Sequence, residues 1–340
     1  MKDYYVIIDC DPGIDDAMAI MNAVNSENIE VKLISTVSGN LTIEETMKNA
    51  LKLVELFKVD IPVAEGARQP VKRQSVYASM AQGSKGMGGY TFSKPKRKPF
   101  VLKSPDAIHY FLCQNPAHNT TLLCMGPMTN IANLLKKYPE SKEMISRIVF
   151  MGGSKDENGM TEPYREFNVA YDPEATQIVF DSHIPLVMVP MELGHIAYFT
   201  PEEQGKIKRA NAIGEIFYKM FTKYNDFHVG KLGAAVHDSC CALYLSNPEI
   251  FKTEEAFIKI DYHKQKGKEY GFIDCNFDHP EPNATVCVDI DVEKMKKIIY
   301  GNLFNYNWFL FFKKQKKCFL TLKFYQIRLK RRAILRHEKI

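Results

Sequence analysis

A single α/β domain with a mainly parallel central sheet flanked by helices is the fold class the sequence predicts, on three observations. Short apolar, β-rich runs alternate along the chain with segments of helical spacing. The chain has 340 residues and is 45% hydrophobic, enough to bury one full core. Polar residues able to hold a ligand fall just after the strand-like runs, where open α/β sheets bind their ligands.

In chain order, residues 4–9, 31–37, 121–125, 148–151 and 186–189 read as buried strands. Residues 43–57, 129–137 and 173–180 have helical spacing, and Asp172 is placed as the N-cap of the third with Pro173 as its first helical residue. The glycine-rich stretch 82–89, followed by the basic run 94–98, is expected to be a mobile exposed loop and a candidate lid. A helix is expected over 211–227, with Phe217, Phe221 and Tyr224 on one face.

The net charge of +5 is unevenly spread. Residues 301–340 hold eleven Lys or Arg against one acid, a net +10, which leaves the body before them at −5. A mildly acidic body offers no surface for tracking phosphates, so no nucleic-acid partner is expected. The eight cysteines contain no C-x-x-C, and the adjacent Cys240 and Cys241 are poorly placed to bridge to each other, which fits a reducing, cytoplasmic setting. Lys2, Asp3, Asp9, Asp11, Asp15 and Asp16 interrupt any apolar core of a secretory signal. No run reaches the ~20 apolar residues of a membrane span.

The first strand runs directly into Asp9-Cys10-Asp11-Pro12-Gly13-Ile14-Asp15-Asp16, four carboxylates in eight residues. Like charges this close need a cation, a partner or a shifted pKa to coexist. Oxygen-only ligands favour calcium or magnesium over zinc. A single Asp here would read equally well as the cap of the following helix. Four of them at the carboxyl end of a strand point to a ligand site instead.

The segment from Asp9 to Ala17 closely resembles the N-terminal signature of the inosine-uridine-preferring nucleoside hydrolases. Further segments agree in the family's order: Gly39-Asn40, Met125-Gly126-Pro127-Met128-Thr129-Asn130, Met151-Gly152-Gly153, Glu166-Phe167-Asn168, Asp172-Pro173-Glu174-Ala175 and His237-Asp238. The resemblance implies a nucleoside hydrolase-like fold with a Rossmann-type core over 1–300, and hydrolysis of the N-glycosidic bond of ribonucleosides to base and ribose. It implies that Asp11, Asp16, Asp238 and the Met125 carbonyl hold Ca2+, with Asp238 also facing the substrate. Asp15, Asn40, Glu166 and Asn168 would bind ribose hydroxyls, and Met151 would lie beneath the sugar. Taken alone, Asn40 and Asn168 read as turn residues and Met151 as core.

The implied chemistry has Asp11 activate the attacking water, with inversion at C1′ and an oxocarbenium-like sugar stabilised by the surrounding carboxylates. His237 would protonate the departing base. Many family members carry a histidine directly before the loop glycine, whereas this chain has Gln82 before Gly83, and glutamine is no acid. Phe221, Tyr224, Phe227 and His228 fall where a base-stacking helix would be, although such spacing also reads as core. Homodimers or homotetramers are usual in the family.

The basic, aromatic tail, 301–340, resembles nothing in the family. Disorder is its plainer reading, contact with an anionic membrane the sharper one. Glycosylation triplets at Asn40, Asn119 and Asn283 are weak patterns, and Asn40 is better assigned to the site. Two other functions compete. An aspartyl-nucleophile phosphatase would want Thr or Val where Gly13 stands and would leave Asp15 and Asp16 unexplained. A non-catalytic ribose- or nucleoside-binding protein on the same fold would be expected to have lost a ligand carboxylate, yet Asp11, Asp16 and Asp238 are all present.

Overall fold

The computed structural model describes residues 3–77, 82–83, 85–115, 117, 119–155, 166–224, 232–265 and 268–304. Phe227, His228 and residues 305–340 lie outside the described residues.

Strands β1 (Tyr4–Cys10), β2 (Ile29–Thr36), β3 (Val63–Glu65), β4 (Thr120–Cys124), β5 (Ile145–Met151) and β6 (Leu186–Val189) pair in parallel, in the order β6-β5-β4-β1-β2-β3. The five strands read from the sequence are all here, each within a few residues of its expected bounds. Beyond β6, the sheet gains β9 (Phe251–Gln265), β10 (Lys268–Asn276) and β11 (Ala284–Ile290). β11 runs parallel to β6, while β9 is antiparallel to both β10 and β11. The sheet is therefore mainly parallel with an antiparallel margin, which the sequence analysis did not foresee. A separate antiparallel pair joins β7 (Tyr198–Phe199) to β8 (Ala234–Ala235).

Helices cover both faces. On one side α1 (Ile14–Asn25), α2 (Ile43–Leu56), α8 (Pro201–Ala210), α9 (Ala212–Phe221), α10 (His237–Ser246) and α11 (Val292–Phe304) enclose a core that takes Val6, Ile8 and Cys10 from β1. On the other, α3 (Ser104–Cys113), α4 (Thr129–Lys137), α5 (Phe167–Tyr171) and α6 (Pro173–Phe180) pack on Ile7. Alternate residues of one strand thus enter opposite cores, as the two-residue period of a strand requires. A further short helix, α7 (Met191–Ile196), follows β6. Among the described residues no helix is long and apolar enough to cross a membrane.

Asp172 caps α6 as expected, its Oδ1 accepting from Ala175 N at 3.1 Å. Its Oδ2 also accepts from Thr129 Oγ1 at 2.6 Å and Val71 N at 2.9 Å, so one buried carboxylate ties the starts of two helices to a distant loop. The helix expected from 211 begins at Ala212, with Asn211 capping it through Ile213 N and Gly214 N at 3.0 and 2.9 Å. Phe217 and Phe221 are buried in the core, and Tyr224 packs partly buried against the same cluster.

The expectation of an exposed loop at 82–89 holds only in part: Lys85 and Gly89 are exposed, whereas Gln82, Gly86, Met87 and Gly88 are buried. Composition misled here, because glycine and polar residues read as surface whereas this stretch fits against α1 and α2 through side-chain amides described below.

The last helix runs on to Phe304, past the boundary suggested by the resemblance. Leu303 is buried and its carbonyl accepts from Asn211 Nδ2 at 2.6 Å, locking α11 onto the N-cap of α9. A chain ending at Tyr300 is therefore expected to be less stable than one ending at Phe304 by about 3 kcal/mol, the usual cost of losing a buried leucine. Equal denaturation midpoints for the two truncations would show that the final turn contributes nothing.

Candidate active site

Parallel topology brings the carboxyl ends of β1, β2, β4 and β5 to one edge of the sheet, and the residues that follow them meet there. From β1 come Asp11, Asp15 and Asp16; after β2 comes Asn40; Met125 follows β4 and Met151 ends β5. Asp238 arrives from the other end of the chain, in the first turn of α10. Carboxylate oxygens of Asp15, Asp16 and Asp238 lie within 4.8 Å of one another, and all three residues are buried. Asp11 adjoins this group, since Asp16 is the charge that acts on it most strongly. Asp15, which the resemblance assigns to sugar, thus sits inside the acidic cluster.

Burial lifts every one of these acids whose titration departs from the ordinary range. Asp16 is pushed up to about 7 by burial first and then by Asp15, against the hydrogen bond from Gly13 N. Asp11 and Asp238 are held well above the usual carboxylate range, by burial first and then by their acidic neighbours. Asp9, one turn below, rises to about 7 by burial although Ser35 and Asn130 donate to it.

The cluster fits a cation on two observations. Asp11 Oδ1 and Asp16 Oδ1 are buried and have no hydrogen-bond partner among the described residues, and buried polar atoms are normally satisfied. Space is also kept around Asp11: a Cβ on Gly39 would stand 2.1 Å from its Oδ2, and one on Gly126 would stand 2.9 Å from Oδ1. Any side chain at either position would push this carboxylate away. The second oxygen of Asp11 is already fixed by Asn40 N at 2.5 Å, and Asn40 Nδ2 reaches the Asp11 carbonyl at 3.4 Å.

The remaining residues divide by how fully the protein satisfies them. Glu166 accepts from Asn168 N at 2.7 Å and from Gly153 N and Val169 N at 2.9 Å each, so it caps α5 and anchors the Gly152-Gly153 turn. Burial raises its pKa, which those N–H groups oppose. Asn168 Nδ2 donates to the Met125 carbonyl at 3.0 Å and the Met151 carbonyl at 3.1 Å, so it holds the ends of β4 and β5 together beside the proposed metal-facing carbonyl. His237 is buried at the start of α10, its ring 6.0 Å from that of His195 and nearly perpendicular to it. His195 carried no motif and was missed; its only sequence signal was its place after a strand end.

The shifted acids set a pH signature. An aspartate in an unfolded chain titrates near ~3.9, so between there and about 7 the metal-free fold keeps a proton on Asp16 that the unfolded chain has lost. The contribution of this group to stability is present at low pH and lost as pH rises through 7. Calcium is therefore expected to raise the melting temperature of the chelator-treated protein more at pH 8 than at pH 5. Equal gains by calorimetry at both values would remove the cluster as the metal's seat.

Comparison with known proteins assigns the family. The family model described as inosine-uridine preferring nucleoside hydrolase matches residues 6–297. The non-specific ribonucleoside hydrolase RihC of Salmonella paratyphi B is 35% identical over 294 residues, covering 86% of this chain and 95% of that protein. RihC of Escherichia coli O1:K1 / APEC is 36% identical over 289 residues, covering 85% and 94%. Among solved structures, the purine-preferring ribonucleoside hydrolase from Gardnerella vaginalis is similar with a TM-score of 0.80 at 25% identity, over 89% of this chain and 98% of that one. A match this long, with the same sheet and the motifs in the same order, leaves one assignment: the chain belongs to the inosine-uridine preferring nucleoside hydrolase family.

Proposed function

We propose that the chain hydrolyses the N-glycosidic bond of ribonucleosides in a calcium-dependent reaction, releasing ribose and free base. The observation that carries this is the set of buried carboxylates at the strand ends, with Asp11 Oδ1 and Asp16 Oδ1 lacking any donor among the described residues. Asp11, Asp16, Asp238 and the Met125 carbonyl would hold the ion, a hard-oxygen set suited to calcium. When bound, calcium supplies the charge that acidifies a water and grips a vicinal diol.

Asp11 then acts as the base. Asn40 N holds its Oδ2, which leaves Oδ1 to accept the proton of the attacking water. Asp15, Asn40, Glu166 and Asn168 bind the ribose hydroxyls, and Met151 supports the sugar from below. As the C1′–N bond lengthens, positive charge on the ring is stabilised by the acids around it, in a buried setting where such interactions are strong. Attack opposite the base inverts C1′. His237, one residue before Asp238 and fixed by the same helix, is the donor to the leaving base.

A panel of inosine, adenosine, guanosine, uridine and cytidine, assayed for released reducing sugar, tests the activity. Turnover of at least one is expected with calcium and not with chelator; activity that survives chelation would sink the metal's role. For the proton donor, His237→Ala is expected to cost inosine about 10²- to 10⁴-fold in kcat. p-Nitrophenyl riboside, whose leaving group needs no proton, should lose far less, and equal losses would remove His237 from that step.

A further inference from the structure

We propose that Gln82 is a positioning residue for the sugar, and that its carboxamide fixes the orientation in which Asp15 meets the ribose. This rests on the reading of Asp15 as a sugar-binding carboxylate.

Gln82 is buried, 4% exposed, and both ends of its amide are spent on the acidic turn 68 residues away in sequence. Nε2 donates to Asp15 Oδ1 at 3.0 Å, and Oε1 accepts from Ile14 N at 2.8 Å. Ile14 opens α1, so its N–H has no partner within the helix and would otherwise be orphaned. Asp16 Oδ2 meets the preceding donor, Gly13 N, at 2.9 Å. The turn is shaped to receive the amide: a Cβ on Gly13 would stand 2.6 Å from Gln82 Cδ.

A second amide holds the segment in place. Asn49, fully buried on α2, donates through Nδ2 to the Pro12 carbonyl at 3.1 Å and to the Lys85 carbonyl at 2.9 Å. The stretch around Gln82 is thereby stitched to both sides of the turn that carries Asp11, Asp15 and Asp16. A carboxamide cannot serve as an acid in this range, and its polar atoms face Asp15 and α1. Its effect should therefore fall on sugar binding and not on the leaving base.

Removing one hydrogen bond to a charged group corresponds to roughly 10- to 100-fold. The contact between Asp15 and a hydroxyl exists in ground and transition states alike, so its disturbance appears in KM. Gln82→Ala is expected to raise KM by about that factor, equally for inosine and p-nitrophenyl riboside, with kcat changed less than about 3-fold. In an Asp15→Asn background the same substitution should add less than about 2-fold, because residues acting through each other are not additive. If the alanine variant fails to fold, Gln82→Asn, one methylene short of Asp15, is read in the same way. Unchanged KM, a fall in kcat alone, additive losses in the double variant, or a loss confined to inosine each overturn the proposal. Wild-type protein that frees no ribose from either substrate would overturn the activity itself, which the wild-type control reads separately from the effect of the variant.

Discussion

The burial of four neighbouring carboxylates is the constraint on which the site depends. Asp11, Asp15, Asp16 and Asp238 are all buried, three of them with oxygens in one small volume. Removing a carboxylate from water costs several kcal/mol even after relaxation. Helix N-termini offset part of this, since Asp15 and Asp16 lie in the first turn of α1 and Asp238 in that of α10. A helix terminus, however, contributes about 0.3–1 kcal/mol, or up to ~2 in the best geometry. Protons or a cation can supply the rest, and burial accordingly holds Asp11, Asp16 and Asp238 above the usual carboxylate range.

That constraint explains why the scaffold is an extended parallel sheet. β1 lies third from the β3 edge of the sheet, with β4 on one side and β2 on the other. Asp11, Asn40 and Met125 therefore reach one point from strand ends roughly 5 Å apart, the ordinary spacing of neighbouring strands. Asn130, from α4, braces this arrangement from below by donating to Asp9 at 2.7 Å and to the Thr36 carbonyl at 2.9 Å. This polar floor joins β1 to β2 beneath the acids.

Much of this was legible in the sequence, for local reasons. The five parallel strands announce themselves as apolar runs, Asp172-Pro173 as a cap, and the acidic turn as four carboxylates in eight residues. Asp238 was reached only through resemblance, because nothing local in Val236-His237-Asp238 reports that α10 starts over the end of β1. The antiparallel margin was hidden in the charged, weakly alternating sequence of β9, whose faces are decided by its neighbours. Gln82 was misread for the same kind of reason. Its burial depends on partners at positions 14 and 15, and a single-chain pattern carries no information about an amide satisfied that far away.

The buried acids fall into two classes, by how fully the protein's own donors satisfy them. Asp172 and Glu166 each receive three donors from the protein and hold fixed angles between loops and helices. Among the described residues, Asp11 and Asp16 each receive a backbone donor on one oxygen and none on the other. A fold that can place three donors on Glu166 could have completed Asp11 as well. The vacant lone pairs are better understood as coordination withheld for a cation, water or hydroxyl. In such a site a bound cation would recover the energy lost by leaving carboxylates half satisfied, so metal affinity and the stability gained on binding would share one origin.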